Sequence, residues 1–332
     1  MHDDNVCVAD ACDDAEVSAT ADPTCTERAL QAIASTREQG GFFYAHLAGV
    51  TGGSTDVGAS RLSVPPAPGH ARPSIMAVAT LADLALGSAL RSRLGTGLLM
   101  PTVDLTLTLV REPRGAVVGE ARALTAGPGA DTATATCDLS DAVGPVGLAS
   151  GTFAVRPAKG PVRAMPWDGG PSQHPSYAGA AAARLGRGNL SPDELACLDS
   201  VVLAEPLEGD EVDGLDSALL RFTAPRHTAG KTAAHGGSAL ANRAGHMHGG
   251  ALLTFVVRAA QVALGHSPAE LHTVTLQFLR PATGGELHGS AVVHRRGRSL
   301  AVVAVEVSGR SDVLATALVG LRIARSTGGR GS

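Results

Sequence analysis

Asn242–Phe255 reads NRAGHMHGGALLTF. A polar loop broken by glycine runs directly into an apolar stretch, and Gly249–Gly265, GGALLTFVVRAAQVALG, has the length and composition of a helix. The first N–H groups of a helix lack intrahelical acceptors and lie at the positive end of its dipole. A His-Gly-Gly at this junction therefore aims bare amides at whatever lies in front of it. No acidic residue follows until Glu270. If the loop holds a reacting group, the residue that does the chemistry must come from elsewhere.

Working outward, the same order of elements occurs twice. The helix of the second half is followed by TVTLQFLRP (Thr273–Pro281), then by strand-like ELHGSAVVH, LAVVAVEV and LATALVGLRIA. In the first half, SIMAVATLADLALGSAL (Ser74–Leu90) is followed by TVDLTLTLVREP (Thr102–Pro113), then by AVVGEARAL, TATATCDL and GLASGTFAV. Thr102–Pro113 alternates, with Val103, Leu105, Leu107 and Leu109 on one face and Thr102, Asp104, Thr106 and Thr108 on the other, the mark of a half-buried strand. Short connections between successive strands imply antiparallel pairing. Each half is thus predicted to be α+β, a long helix wrapped by a curved antiparallel sheet.

Around these repeats the chain divides into an acidic tail (1–25), a first domain (26–157), a linker (158–190), a second domain (191–326) and a short tail (327–332). TERALQAIASTRE suits a short helix with Thr26 as N-cap. The linker, rich in Pro, Gly and Ala, holds the only Trp, Trp167, which is expected to pack on one of the domains. With 44% hydrophobic but only 3% aromatic residues, the cores must be built from Val, Leu and Ala. A net charge of −4 gives no support to nucleic-acid or anionic-membrane binding. No apolar run is read as reaching the ~18 residues of a bilayer span. The acidic N-terminus lacks the basic and apolar regions of a secretory signal. Five scattered cysteines, without zinc-type spacing, fit reduced thiols in a cytoplasmic protein. His227, His235, His246 and His248 crowd one segment without an acid or cysteine among them, so no metal is assigned.

The repeat, together with Asn242-x-x-Gly245-x-x-His248-Gly249-Gly250, resembles the hotdog-fold acyl-CoA thioesterases of the phenylacetyl-CoA (PaaI-type) group. In that family the helix after the His-Gly-Gly carries an Asp nine positions beyond the His, and a Ser/Thr-Val-Asp strand follows. Nine residues after His248 this chain has Val257. In the first half, Asp83 occupies the family's acid position, and nine residues before it the His-Gly-Gly has become Ser74-Ile75-Met76. Each half keeps what the other has lost.

The resemblance implies tandem hotdog domains packed as an intrachain pair, with one complete site between them. Asn242 and Gly249 would come from the second half, Asp83 and Thr102 from the first. Asp83 would activate water, or less readily act as a nucleophile, and the Gly249 N–H would polarise a thioester carbonyl. Thr102 would hold the water, and Asn242 would fix the loop or the thioester end. His248 is read as a loop-bonding residue beside the substrate, together with Gly250. The turn HRRGRS offers Arg295, Arg296 and Arg298 to coenzyme A phosphates, or is simply a solvated basic turn. Residues 228–240, with a second His-Gly-Gly, read as a loop insertion near the entrance. The substrate would be an acyl-CoA or acyl-carrier thioester, with no cofactor beyond coenzyme A itself, and the resemblance leaves room for a homodimer of tandem chains. The rival readings are a catalytically silent thioester-binding hotdog protein and a hotdog enoyl-CoA hydratase or dehydratase.

Overall fold

The computed structural model describes residues 23–66, 70–95, 97–127, 129–160, 162, 164–168, 185–202, 231–236, 238–265, 269–283, 285–310 and 312–323. Helices α1 (Pro23–Gln39) and α2 (Phe43–Leu47) lead into the hairpin β1 (Thr51–Asp56)–β2 (Ala59–Val64) and the core helix α3 (Ile75–Leu94). A two-residue β3 (Leu98–Leu99) precedes the meander β4 (Thr102–Leu109), β5 (Val117–Thr125), β6 (Thr132–Asp141) and β7 (Gly144–Ala154), and the short β8 (Arg156–Pro157) follows. Helix α4 (Pro192–Val202) comes next, then β9 (Lys231–Gly236) and the second core helix α5 (Gly249–Ala263). The chain closes with β10 (Ala269–Phe278), β11 (Gly285–Arg296), β12 (Leu300–Ser308) and β13 (Val313–Ile323).

Eleven strands form one sheet in the order β1-β2-β5-β6-β7-β4-β10-β13-β12-β11-β9. The halves join at its centre, where β4 and β10 pair antiparallel with Thr106 opposite Thr275. Leu105, Leu107, Val274 and Leu276 point from this seam to the helix layer and are fully buried. Removing each such side chain from water contributes roughly 1.5–3 kcal/mol. The tandem arrangement of two α+β units, each a helix held by a curved antiparallel sheet, is the predicted architecture.

Helix α3 starts at Ser74, whose side chain accepts the Ala77 N–H, and stops at Gly95, where φ is +93°. Between them, Ala and Leu combine high helix propensity with burial on almost every face. By length and composition α3 is apolar enough to cross a membrane, contrary to the sequence expectation, but it is the buried core helix of the first half. It packs on α5 at Gly250, where an added Cβ would stand 2.6 Å from the Thr80 backbone nitrogen. That glycine sets how closely the two helices approach.

Two local expectations change, and the expected packing of Trp167 holds. Lys231–Gly236 is an edge strand paired with β11, not part of a loop insertion. A run of Ala, His and Gly carries no apolar alternation, so pairing with a neighbour rather than its own pattern makes it a strand. Helix α1 begins at Pro23, which puts Thr26 inside its first turn rather than at the cap. Part of the linker is docked: Trp167 is buried and its Nε1 donates to Ser88 Oγ on α3 at 2.9 Å. The acidic tail 1–22, the linker stretch 169–184, the segment 203–230 with His227, and the C-terminal tail lie outside the described residues.

Candidate active site

The loop before α5 is fixed by its own polar atoms. Asn242 Oδ1 accepts the N–H groups of Ala244 (2.8 Å) and His246 (3.2 Å), and Gly245 takes φ +77° to close the turn. Backbone bonds from Met247 to Ala282 and from His248 to Leu240 tie the loop to its flanks. Asn242 also lines the cavity between the halves, and its observed contacts hold the loop.

His248 caps α5 by accepting the Gly250 N–H at Nδ1, 3.0 Å away. It is buried between the rings of Tyr44 and Phe42, with centroids at 4.9 and 5.6 Å. Burial, aided by the positive charge of Arg243, pushes its pKa down to about 3. The ring is therefore neutral at ordinary pH, with Nδ1 as acceptor and the proton on Nε2. Asp83 Oδ2 lies 3.6 Å from that Nδ1. The separation falls within ion-pair range, but a neutral ring whose Nδ1 lone pair is already engaged makes no salt bridge. With the Gly250 amide taken by the cap, the Gly249 N–H has no acceptor among the described residues.

Asp83 meets that amide from the other half of the chain. A Cβ added to Gly249 would stand 2.6 Å from Asp83 Oδ2 and 3.2 Å from its Cγ. The glycine at the helix start is thus required by space, since any side chain would evict the carboxylate. Asp83 is 7% exposed, and burial raises its pKa to about 6, against the lowering effect of a hydrogen bond from Thr102. Thr102 Oγ1 donates to Oδ1 at 3.1 Å, leaving Oδ2 toward Gly249.

Strict alternation along β4 turns Thr102 toward the outer face with Thr106 and Thr108, away from α3. The strand departs from alternation at this point. Its register against β7 shifts between Thr102 and Asp104, and the skipped Val103 is exposed instead of buried. Such a bulge re-aims one side chain without disturbing the rest of the ladder. Here it turns the hydroxyl of Thr102 onto Asp83.

These residues border a cavity of about 290 Å³ lined by both halves: Asp83 and Thr102 from the first, Asn242, His248 and Gly249 from the second. Arg295, Arg296 and Arg298 do not line it. Arg296 donates to the Leu264 carbonyl at the C-terminal end of α5, a helix length of about 22 Å from Gly249 at 1.5 Å per residue. The β11–β12 turn belongs to the opposite end of the sheet, and only its composition recommended it. At the mirror position, Val257 and Met76 are buried apolar residues. Among the described residues no three His, Cys, Asp or Glu side chains are grouped to hold a metal.

The sequence reading missed Phe42 and Tyr44, which wall His248, and Arg91 and Arg243, which line the cavity. The run Phe42-Phe43-Tyr44 was a usable signal in a chain this poor in aromatics. Nothing local marks Arg91 or Arg243.

A family model for the acyl-CoA thioesterase N-terminal domain matches residues 238–321, the stretch with the His248-Gly249-Gly250 loop and α5. A putative oleoyl thioesterase from Lactobacillus plantarum superposes over 81% of this chain and 97% of its own, at 11% identity and a TM-score of 0.50. A protein of unknown function with a hot dog fold from Alicyclobacillus acidocaldarius covers 82% of this chain and 95% of its own, at 15% identity and a TM-score of 0.50. At such identities these likenesses bear on fold. A putative thioesterase related to phenylacetic acid degradation, from Ralstonia eutropha JMP134, is 27% identical over 30% of this chain and 82% of its own, with a TM-score of 0.28. No curated protein sequence matches the chain. Both halves thus have the hotdog fold in tandem, and the second half is similar to the acyl-CoA thioesterase N-terminal domain.

Proposed function

We propose that the chain hydrolyses acyl-CoA thioesters at one composite site between its halves. The observation that carries this is the Asp83 carboxylate standing against the Gly249 helix start across the domain seam. The thioester carbonyl oxygen accepts the Gly249 N–H, which is preorganised for the charge that develops there. Asp83 Oδ2 takes a proton from water as the water oxygen bonds to the carbonyl carbon. The tetrahedral intermediate then collapses, the C–S bond breaks, and the proton held by Asp83 passes to the leaving thiolate. A base with a pKa of about 6 is suited to near-neutral work, ionised yet still basic. Thr102 holds Asp83 in place, Asn242 holds the loop, and His248 with Gly250 forms the cap that leaves the Gly249 amide free. The reaction consumes water alone and needs no further cofactor.

A second cavity, of about 680 Å³, shares His246 and Pro281 with the first and carries Arg280 and Arg310. It lies on the loop side of Gly249 and is the natural course for the coenzyme A arm, with guanidinium groups for its phosphates. The motif around His248 supports the PaaI-type subgroup. A hydratase would need His248 as a proton carrier, and a buried neutral ring with Nδ1 engaged serves that poorly.

Thiol release from a panel of CoA thioesters, measured for wild type and Asp83→Asn, tests the reading. Loss of the general base should lower kcat/KM by about 10²–10⁴. Equal, background-level rates in both proteins would favour a silent thioester-binding protein. Hydration of an enoyl-CoA without thiol release would favour the hydratase.

A further inference from the structure

Away from the coenzyme A side, the composite cavity follows one face of α3. Asp83, Gly87 and Arg91 succeed one another at intervals of one turn, and all three line it. Eight residues of helix span about 12 Å. Leu84, Met100 and Phe153 wall the space between the two charged ends. Gly87 keeps that wall open: a Cβ there would only touch Phe153, at 3.8 Å, so helix packing does not demand the glycine.

The far end does not suit a plain alkyl chain. Arg91 is 9% exposed, its Nη1 donates to the Leu98 carbonyl at 3.1 Å, and its buried Nε has no acceptor among the described residues. Arg91 and Arg243 both feel the single carboxylate of Asp168. Asp168 is already engaged by Arg243 at 2.9 Å and by the Met165 N–H at 2.8 Å. Two guanidinium groups thus share one carboxylate, and exposed Arg156 adds a third along the same wall. Burial and the neighbouring Arg243 push the Arg91 pKa down to about 10, so it remains charged at neutral pH. A buried charge with an idle donor is costly unless something pairs with it.

We propose that Arg91 is a specificity residue, and that the preferred acyl group carries a carboxylate at its far end, making the substrate an ω-carboxyacyl thioester. This rests on the thioesterase reading of the site. The acyl chain crosses the apolar stretch from Gly249, and its terminal carboxylate takes the Arg91 guanidinium in place of water. A phosphate of coenzyme A offers the same chemistry. Arg91 lines the first cavity and Arg280 and Arg310 only the second, which favours the acyl end for Arg91.

The test compares suberyl-CoA with octanoyl-CoA, and adipyl-CoA with hexanoyl-CoA, in wild type, Arg91→Met and Arg91→Lys. Wild type should favour the carboxylated member of at least one pair by tenfold or more in kcat/KM. Arg91→Met should abolish that ratio and Arg91→Lys should keep part of it. A wild-type ratio at or below one in both pairs overturns the proposal, as does a ratio that survives Arg91→Met. Pantetheine thioesters of the same acids separate the two anion sources. If Arg91→Met weakens all CoA substrates alike but spares the pantetheine ones, Arg91 holds a phosphate and the proposal fails. Should Arg91→Met not fold, calorimetric titration of wild type with suberate and octanoate decides, equal affinities being the contrary result. The same titration stands if wild type hydrolyses none of the four thioesters, which would instead overturn the thioesterase reading.

Discussion

The two core helices are copies of one element that begin in different ways. Helix α3 starts Ser74-Ile75-Met76, with the serine side chain accepting the Ala77 N–H. Helix α5 starts His248-Gly249-Gly250, with the imidazole accepting the Gly250 N–H. Both starts are capped, but only the second has a first residue without a side chain, so that the Asp83 carboxylate can stand close to it. Nine positions on, the helices differ in the opposite sense, Asp83 in the first and Val257 in the second. A buried carboxylate is expensive to hold ionised, so once one half supplies it the other half gains stability by filling the equivalent place with valine. On the proposed reading, the repeat has divided the parts of one reaction between its halves.

The most damaging way to break this comparison is to give α5 a side chain at its first position, where α3 has Ile75. Gly249→Ala puts a methyl group 2.6 Å from Asp83 Oδ2, which must move. With both the carboxylate and the amide disturbed, kcat/KM should fall by about 10²–10³. Overpacking should also cost about 1–3 kcal/mol in denaturant unfolding.

Next in size is a stability effect with a definite pH window. The folded-state pKa of Asp83, about 6, lies above its ordinary value of 3.8, so folding opposes its ionisation. That penalty is absent below pH 3.8, develops between 3.8 and 6, and is complete above 6. At 1.36 kcal/mol per pH unit it comes to about 3 kcal/mol. Asp83→Asn should therefore be more stable than wild type by about that amount at pH 8 and no more stable at pH 3.5. His248, whose pKa is lowered, destabilises the fold on the acid side in both proteins and cancels from the difference.

The smallest effect sharpens the role of the bulge. Thr102→Val removes the hydrogen bond that favours the charged carboxylate, so the midpoint of the pH–kcat/KM profile should rise from about 6 by about one unit. At pH 7 this lowers the rate only about twofold. An unmoved midpoint would mean that Thr102 does not act through Asp83.

The repeat and the main helix and strand types were readable because each rests on spacing along the chain, and the pairing of Asp83 with Gly249 was implied by the family resemblance. The inward turn of Thr102 was not, since alternation assigns it outward and only the pairing of β4 with β7 creates the bulge. Edge strand β9 has no pattern of its own. The arginine turn at 295–298 illustrates the converse failure, where composition indicated a ligand but the fold placed the residues at the wrong end of α5. Arg91 and Arg243 gain meaning only through Asp168, which the sequence places in a segment that reads as linker.

The central claim, one reaction shared by two halves, is tested most directly by kcat/KM for a CoA thioester in Asp83→Asn, Gly249→Ala and the double variant. Asp83 and Gly249 in one site give singles that each lose at least about a hundredfold, and a double little worse than the poorer single, because residues acting as a unit are not additive. If they served separate sites, each single variant would keep about half the wild-type activity and only the double would be inactive, and that result would contradict the composite site.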